Sequence, residues 1–489
     1  MGNRLRPKLT DQKMSLKKLL TGTALLSSVN MLRLIVQFLS LPLLARILSP
    51  ADYGVVAMAM PIVLLVMLFA DSGLGSSLVR DKSADLTAWH SCFWLTVAFG
   101  AGLCLLLATL APVVAYWMQE PTLGAVMASL ATVIFLQSLA LVPGAALQQR
   151  GLFGRIALAE ISAMAASVGV AISAALHGMG VWALVWQQVT LYAVRLVLNL
   201  VLSPYRPRAV FKWASALPHV IFGWNLLAAN VVGFGSRTVE SMAIGKVRGA
   251  ADLGTYGMAF QFARLPWMLV TGPLQYVLYP RVAGAQSDPG KLRAQVLLAS
   301  KVLATLLIAP MALVGAASVP VFDLLLSEKW REAAHVFALI MPAAAALPVV
   351  GILGTFVLAI GRPEVQLKLT TQSSVLWLIC LGGSVWFGLS TIALAYTLFT
   401  LAFSVWSLRV ILPLLGCSLT DYYKAIGGQI VLAIVAAAAY RTIVYIWPMD
   451  DAGAIGLAIV CALVCVLGSA GIQMKSILKD YREAFSMPI

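Results

Sequence analysis

Eight charged residues stand well inside long hydrophobic stretches: Arg33, Asp71, Glu160, Arg195, Arg237, Glu240, Arg264 and Lys301. Five of the eight are cationic. A charge at membrane depth costs at least ~2.5–3.5 kcal/mol, so each is expected to face a partner or a water-filled cavity. Guanidinium groups present forked donors that match phosphate oxygens two at a time. Arginines gathered at that depth are therefore chemistry for an anionic head group such as a diphosphate, whose unshielded passage through hydrocarbon is prohibitive. A pathway for organic cations would present acids instead.

Spacing places several of these groups on shared helix faces. Ser27, Asn30, Arg33, Gln37 and Ser40 recur every three or four residues and form one polar stripe. A second stripe holds Asn230, Arg237, Glu240 and Ser241. Measured back from Tyr53 and Tyr256, Arg33 and Arg237 lie 20 and 19 residues away. Arg33, Arg237 and Arg264, with Asn30 and Gln37, are the candidates for a substrate-binding cationic cavity. The competing readings are an interhelical hydrogen-bond anchor for Arg33 and simple neutralisation of Arg237 by Glu240 three residues on. Asp71, in Phe69-Ala70-Asp71-Ser72-Gly73-Leu74-Gly75, is a candidate for proton or sodium coupling, with Glu160 and Glu240. A structural hydrogen bond at a glycine-loosened helix competes for Asp71 and also for Glu160. Lys301 and Arg195 lie near span ends, where long cations can snorkel to the interface.

The elements that carry these residues are about fourteen apolar stretches, each near the ~20 residues that cross a ~30 Å hydrocarbon core. They lie near 19–48, 54–79, 91–118, 124–148, 154–177, 181–203, 220–245, 256–280, 294–319, 333–360, 366–388, 390–413, 424–447 and 453–474. Hydrophobic residues make up 61% of the 489 and charged residues 11%, against about 25% charged in soluble domains. The expected fold is an all-α polytopic membrane protein with no room for a sizeable soluble domain. The net charge of +15 belongs to the connections. Alternate loops collect twenty-three Lys and Arg on one side, while Arg46, Lys246, Arg248, Lys329, Arg331 and Arg441 are the six on the other. The positive-inside rule then places both termini in the cytoplasm, and no nucleic-acid partner is implied. The first span is too long for a signal-peptide core and reads as retained.

A weak internal repeat relates the halves. Tyr53-Gly54 and Tyr256-Gly257 are 203 residues apart, Arg80 and Arg281 are 201 apart, and Gly151 and Gly361 are 210 apart. An even number of helices per repeat implies a pseudo-two-fold along the membrane normal. The expected organisation is a cytoplasmic basic N-terminus (1–18), a six-helix N-lobe (19–212), a six-helix C-lobe (213–413), two further helices (414–475) and a cytoplasmic tail (476–489). If the lobes face each other, Arg33 and Arg237 reach one cavity. Ser49-Pro50-Ala51-Asp52 has the form of a capping box opening the second helix. The six cysteines form no CxxC, the four histidines are widely separated, and no GxxxxGK[ST] occurs. No metal or cofactor is expected, and transport without covalent chemistry is the simplest function.

Short segments add a resemblance. Leu44-Ala45-Arg46-Ile47-Leu48 followed by Asp52-Tyr53-Gly54, Asp71-Ser72-Gly73-Leu74-Gly75 with Arg80, and Gln148-Gln149-Arg150-Gly151-Leu152-Phe153 are three of them. Leu278-Tyr279-Pro280-Arg281, Ser327-Glu328-Lys329-Trp330 and Ala359-Ile360-Gly361-Arg362-Pro363 continue the series. In this order they resemble Wzx-type polysaccharide repeat-unit flippases, of the multidrug/oligosaccharidyl-lipid/polysaccharide exporter superfamily. The resemblance implies fourteen transmembrane helices, alternating access and an undecaprenyl-diphosphate-linked oligosaccharide as substrate. It implies the bacterial inner membrane, a proton or sodium gradient as drive, and polysaccharide polymerase and export machinery as partners. The alternatives are a multidrug or cation antiporter of the same superfamily and a membrane glycan polymerase or ligase. Catalytic groups of the latter are expected on a large periplasmic loop, which this chain lacks.

Overall fold

Helix ends follow from local chemistry. At the start of α2 (Pro50–Asp71) the Ser49 amide donates to Asp52 Oδ2 at 2.9 Å and the Asp52 amide to Ser49 Oγ at 3.2 Å. This is the reciprocal capping box that the sequence predicts. At Gly151 and Gly361 the chain turns through positive φ (65° and 77°). In each case the glycine amide and the next amide bond back to carbonyls three and five residues earlier. Both are Schellman endings, for which a residue without a Cβ is favoured. Two positions matched in the repeat thus stop their helices in the same way.

The computed structural model describes Leu32, Val36 and residues 38–71, 73–81, 85–284 and 288–485. In chain order the elements begin with α1 (Phe38–Ile47), α2, α3 (Leu74–Arg80) and α4 (Leu86–Met118). Next come α5 (Pro121–Gln149), α6 (Phe153–Leu176), α7 (Val181–Leu202) and α8 (Trp213–Ala263). A π-turn (Trp267–Thr271) leads to α9 (Gly272–Gly284), α10 (Pro289–Ala316), α11 (Ser318–Leu325) and α12 (Arg331–Ala359). The chain continues with α13 (Pro363–Ser384), α14 (Leu389–Leu414), α15 (Leu419–Ile446) and α16 (Asp451–Phe485). The described residues contain no strand, and ten helices are long and apolar enough to cross a membrane. Backbone groups in hydrocarbon must be satisfied within the segment, which leaves helices as the form such stretches take. The protein is therefore an all-α, multi-pass membrane protein. α13 is long enough to cross but more polar than those ten.

Two compact units emerge. One contains the described residues up to Ile47, with Ile62–Tyr116 and Pro121–Val231. Within it α7 packs along α6 and α5, and Leu74, Leu78, Trp89, Phe93, Val142 and Tyr205 close a core at one end. The other contains Leu48–Pro61, Trp117–Glu120 and the chain from Val232 onward. Its centre is α10, packed against α12, α15 and α16, while α12 also carries α14.

Inside the second unit, the start of α2 crosses the second limb of α8. Gly249, at φ 84° and ψ 177°, breaks α8 into two limbs. A Cβ on Gly54 would overlap the carbonyl oxygen of Ala250, and one on Gly254 that of Pro50. The contact is reciprocal, with each glycine receiving the backbone four residues before the other. It equates Gly54 with Gly254 and Asp52 with Asp252, an offset of 200 rather than the 203 suggested by the Tyr-Gly pairs.

Two expectations are corrected. Lys301 does not snorkel. It is 9% exposed and its ammonium meets Asp480 Oδ2 at 2.5 Å and Ser476 Oγ at 2.7 Å. Arg195 likewise turns inward, to Glu160 at 2.8 Å and over the Tyr192 ring. In both cases an acid on a neighbouring helix offers a charge-assisted bond that the interface does not match. The acid that holds Lys301 lies beyond the last expected span, where α16 continues to Phe485.

Candidate functional site

The polar residues of α13 and α14 fall on matched stripes. On α13 they are Gln366, Thr370, Ser373, Ser374 and Trp377, all within one 3.6-period face. On α14, Tyr396, Thr400, Ser404 and Ser407 keep the same period, with Phe399 and Phe403 between them. The two stripes, with Gly233, Ser236 and Arg237 of α8 and the Leu347–Gly354 stretch of α12, line a cavity of about 390 Å³. That volume lies in the range of small-molecule sites, ~300–1,000 Å³. Gly351 and Gly354 keep the α12 wall thin. A Cβ on the first would meet the Trp267 ring at 2.6 Å, and one on the second the Gln366 amide oxygen at 2.7 Å.

Helical serines and threonines usually return their hydroxyl to a carbonyl one turn back. Thr96, Thr109, Thr132, Ser138 and Ser167 do so here. Ser373, Ser374, Ser404 and Ser407 do not, and their hydroxyls have no partner among the described residues. Ser404 and Ser407 are only 9% and 8% exposed, so what exposure they keep faces the cavity they line.

An aromatic chain runs along the same wall. Tyr256 contacts Phe260 at 4.4 Å between centroids, Phe260 contacts Tyr396 at 4.9 Å, and Tyr396 contacts Trp377 at 5.0 Å. Trp377 and Phe403 both pack on Phe399. At the α8 end this chain meets the charges. Tyr256 donates to Glu240 Oε1 at 2.6 Å, a bond between the two limbs of α8. The Glu240 carboxylate is within electrostatic reach of Arg264 and Arg237, yet neither guanidinium closes an ion pair with a described residue. The Trp377 indole N–H approaches Glu240 without completing a hydrogen bond of standard geometry. Arg264 stands over the Phe260 ring at 5.9 Å. It sits where the regular helix yields to Pro266 and the π-turn, an irregularity often found at functional sites. Two cations therefore share one acid.

The structure thus brings together Arg237, Arg264 and Glu240. Arg33, Asn30 and Gln37 lie outside the described residues. Asp71 is the last residue of α2, before Gly73 turns at φ 65° into α3, and pairs with no described residue. Glu160 is held by Arg195. Sequence reasoning missed Trp377, Tyr396, Thr400, Ser404 and Ser407. Their signal was present as the polar period of α13 and α14, but apolar neighbours on the same faces concealed it.

The sequence profile of the polysaccharide biosynthesis protein family matches residues 43–335. The chain is similar to the succinoglycan biosynthesis transport protein ExoT of Rhizobium meliloti, at 28% identity over 62% of each chain. The match therefore spans less than two thirds of that relative. It is also similar to the lipopolysaccharide biosynthesis protein WzxC of Escherichia coli, at 24% over 78% of each. The teichuronic acid biosynthesis protein TuaB of Bacillus subtilis matches at 24% over 84% of this chain and 86% of its own. Among solved structures, the lipid II flippase MurJ in an inward closed conformation superposes with a TM-score of 0.70 at 13% identity, covering 92% of this chain and 100% of that one. An inward-facing multidrug resistance transporter of the MATE family gives 0.59 at 16%, covering 78% and 94%. These two likenesses show the fold.

Proposed function

The chain belongs to the polysaccharide biosynthesis protein family, and from that premise we propose that it is a flippase for undecaprenyl-diphosphate-linked oligosaccharide repeat units. It carries them from the cytoplasmic to the periplasmic leaflet of the bacterial inner membrane by alternating access, with both termini cytoplasmic. The observation that carries this reading is the pair Arg237 and Arg264, which share a single acid on helices of a membrane bundle. A diphosphate leaving water needs fixed cations to replace its hydration. Each charge-assisted hydrogen bond from a guanidinium is worth ~1.5–3 kcal/mol. Arg33, Asn30 and Gln37, which lie outside the described residues, are proposed from the sequence as further head-group contacts.

Glu240 supplies the counter-charge when the site is empty. It holds the arginines without pairing tightly with either, so an arriving diphosphate can displace its influence. A carboxylate in that position is also the natural place for a coupling proton or sodium ion, with Asp71 as the second candidate. Translocation itself breaks no covalent bond. The polymerase and export machinery that consume the product are the expected partners.

Deleting the protein and weighing the lipid-linked glycans of the cell tests this. The expected result is a polyprenyl-diphosphate oligosaccharide accumulating in the cytoplasmic leaflet. An unchanged glycan pool with new sensitivity to cationic drugs would move the chain to the antiporters. Glycan elongation by the purified protein would make it a polymerase.

A further inference from the structure

The cavity between α8, α12, α13 and α14 has a chemistry unlike the arginine pair at its edge. Among the described residues, its only charged lining residue is Arg237. The rest combines hydroxyls and the Gln366 amide with aromatic rings, glycines and the aliphatic side chains of Leu347, Val350, Leu369 and Ile411. A purely apolar cavity would suit acyl chains, and an acidic one would suit cations. Unpartnered hydroxyls beside ring faces match the two surfaces of a sugar, which carries hydroxyls around its edge and polarised C–H bonds on its faces. We propose that this cavity is a carbohydrate subsite that seats uncharged sugar rings of the cargo, with the diphosphate at the Arg237 end. The inference rests on the flippase reading above and names the part of the substrate that this pocket selects.

Three observations carry it. Ser373, Ser374, Ser404 and Ser407 face the cavity without the one-turn-back carbonyl bond that ten other hydroxyl residues of the described helices make. Polar groups held dry without partners are costly, so these four are arranged for water or for a ligand that replaces it. Second, Tyr396, Phe399 and Phe403 line the same wall, and the first two rings pack on Trp377. Rings that brace one another hold a fixed surface on which a sugar can stack. Third, the volume of about 390 Å³ suits a short stretch of glycan and not a whole lipid-linked unit. The polyprenyl chain must therefore lie elsewhere.

A photoreactive benzoyl-phenylalanine placed at Phe403, and separately at Ser374, tests the assignment in the full chain in its host membrane. A third position, Leu398, lies on the opposite face of α14 and is 59% exposed. Cross-linked peptides are weighed before and after mild acid, which cleaves the glycosyl–phosphate bond. The expected adduct at Phe403 or Ser374 keeps sugar mass after acid and loses the polyprenyl diphosphate, while Leu398 yields none. Adducts that keep polyprenyl or phospholipid and no sugar at both cavity positions overturn the subsite. So does the absence of any sugar-bearing adduct at both.

A cavity-filling change, Ser404→Trp, is expected to lower surface polysaccharide about tenfold at normal membrane levels, with Leu398→Trp within about twofold of wild type. Equal export by the two overturns the assignment. If deletion causes lipid-linked glycan to accumulate but no sugar is captured, only the subsite fails. If nothing accumulates on deletion, the flippase reading itself fails.

Discussion

Two regions of the C-terminal unit hold cations inside helices and treat them in opposite ways. Along α10 and α16, Lys301 is closed off by Asp480 and Ser476, with both charged side chains only 11% exposed. Along α8, Arg237 and Arg264 are left with one acid between them and no ion pair. The same residue class thus has two uses. A cation whose charge is consumed by a fixed partner ties two helices together and is unavailable to anything mobile. A cation without such a partner keeps its donors available to water or to a ligand. Depth in the membrane nominates a charge for function, but the state of its partner decides.

The largest effect expected is on stability at the closed pair. Asp480→Asn leaves Lys301 buried and uncompensated, a loss of ~3–5 kcal/mol, and thermal unfolding in detergent should register it. Exchanging the two charges (K301D with D480K) should recover part of that loss. Unchanged stability in Asp480→Asn would erase the contrast between the regions.

Arg237→Gln and Arg264→Gln should leave unfolding unchanged and cut glycan export about tenfold or more, since each removes ~1.5–3 kcal/mol of charge-assisted bonding. Arg237→Lys should rescue only partly, because an ammonium lacks the fork that grips two oxygens. Glu240→Gln acts in the other direction. With the shared acid neutralised, a soluble pyrophosphate probe should bind about three- to tenfold tighter in a calorimetric titration. Weaker binding would show that Glu240 positions the arginines and does not compete with the ligand. The smallest effect belongs to Ser404→Ala and Ser407→Ala, within about 0.5 kcal/mol of wild-type stability, because no protein group depends on either hydroxyl.

Much of the fold was legible in the chain because it depends on neighbours in sequence. The capping box at Ser49 and Asp52 and the glycine stops at Gly151 and Gly361 lie within five residues of their partners. The family resemblance held for the same reason, since its motifs are short. Of the site, Arg237, Arg264 and Glu240 were legible as charges out of place in apolar stretches. The hydroxyl-lined wall was not, because only the packing of α13 and α14 shows that their serines line one cavity. Nor was the crossing at Gly54 and Gly254. Glycine in an apolar helix has many roles, and only the opposing backbone shows that this pair makes room for each other.

Composition and period by themselves settled that the protein is helical, lies in a membrane and carries isolated charges within it. Those properties follow from the solvent that surrounds each segment. Tertiary structure alone decided that Lys301 would meet an acid 179 residues away, while Arg237 would meet none closely enough to pair. Which charges are cancelled is a property of packing between distant helices, since the energy of a pair depends on a separation of a few ångströms that no local pattern encodes.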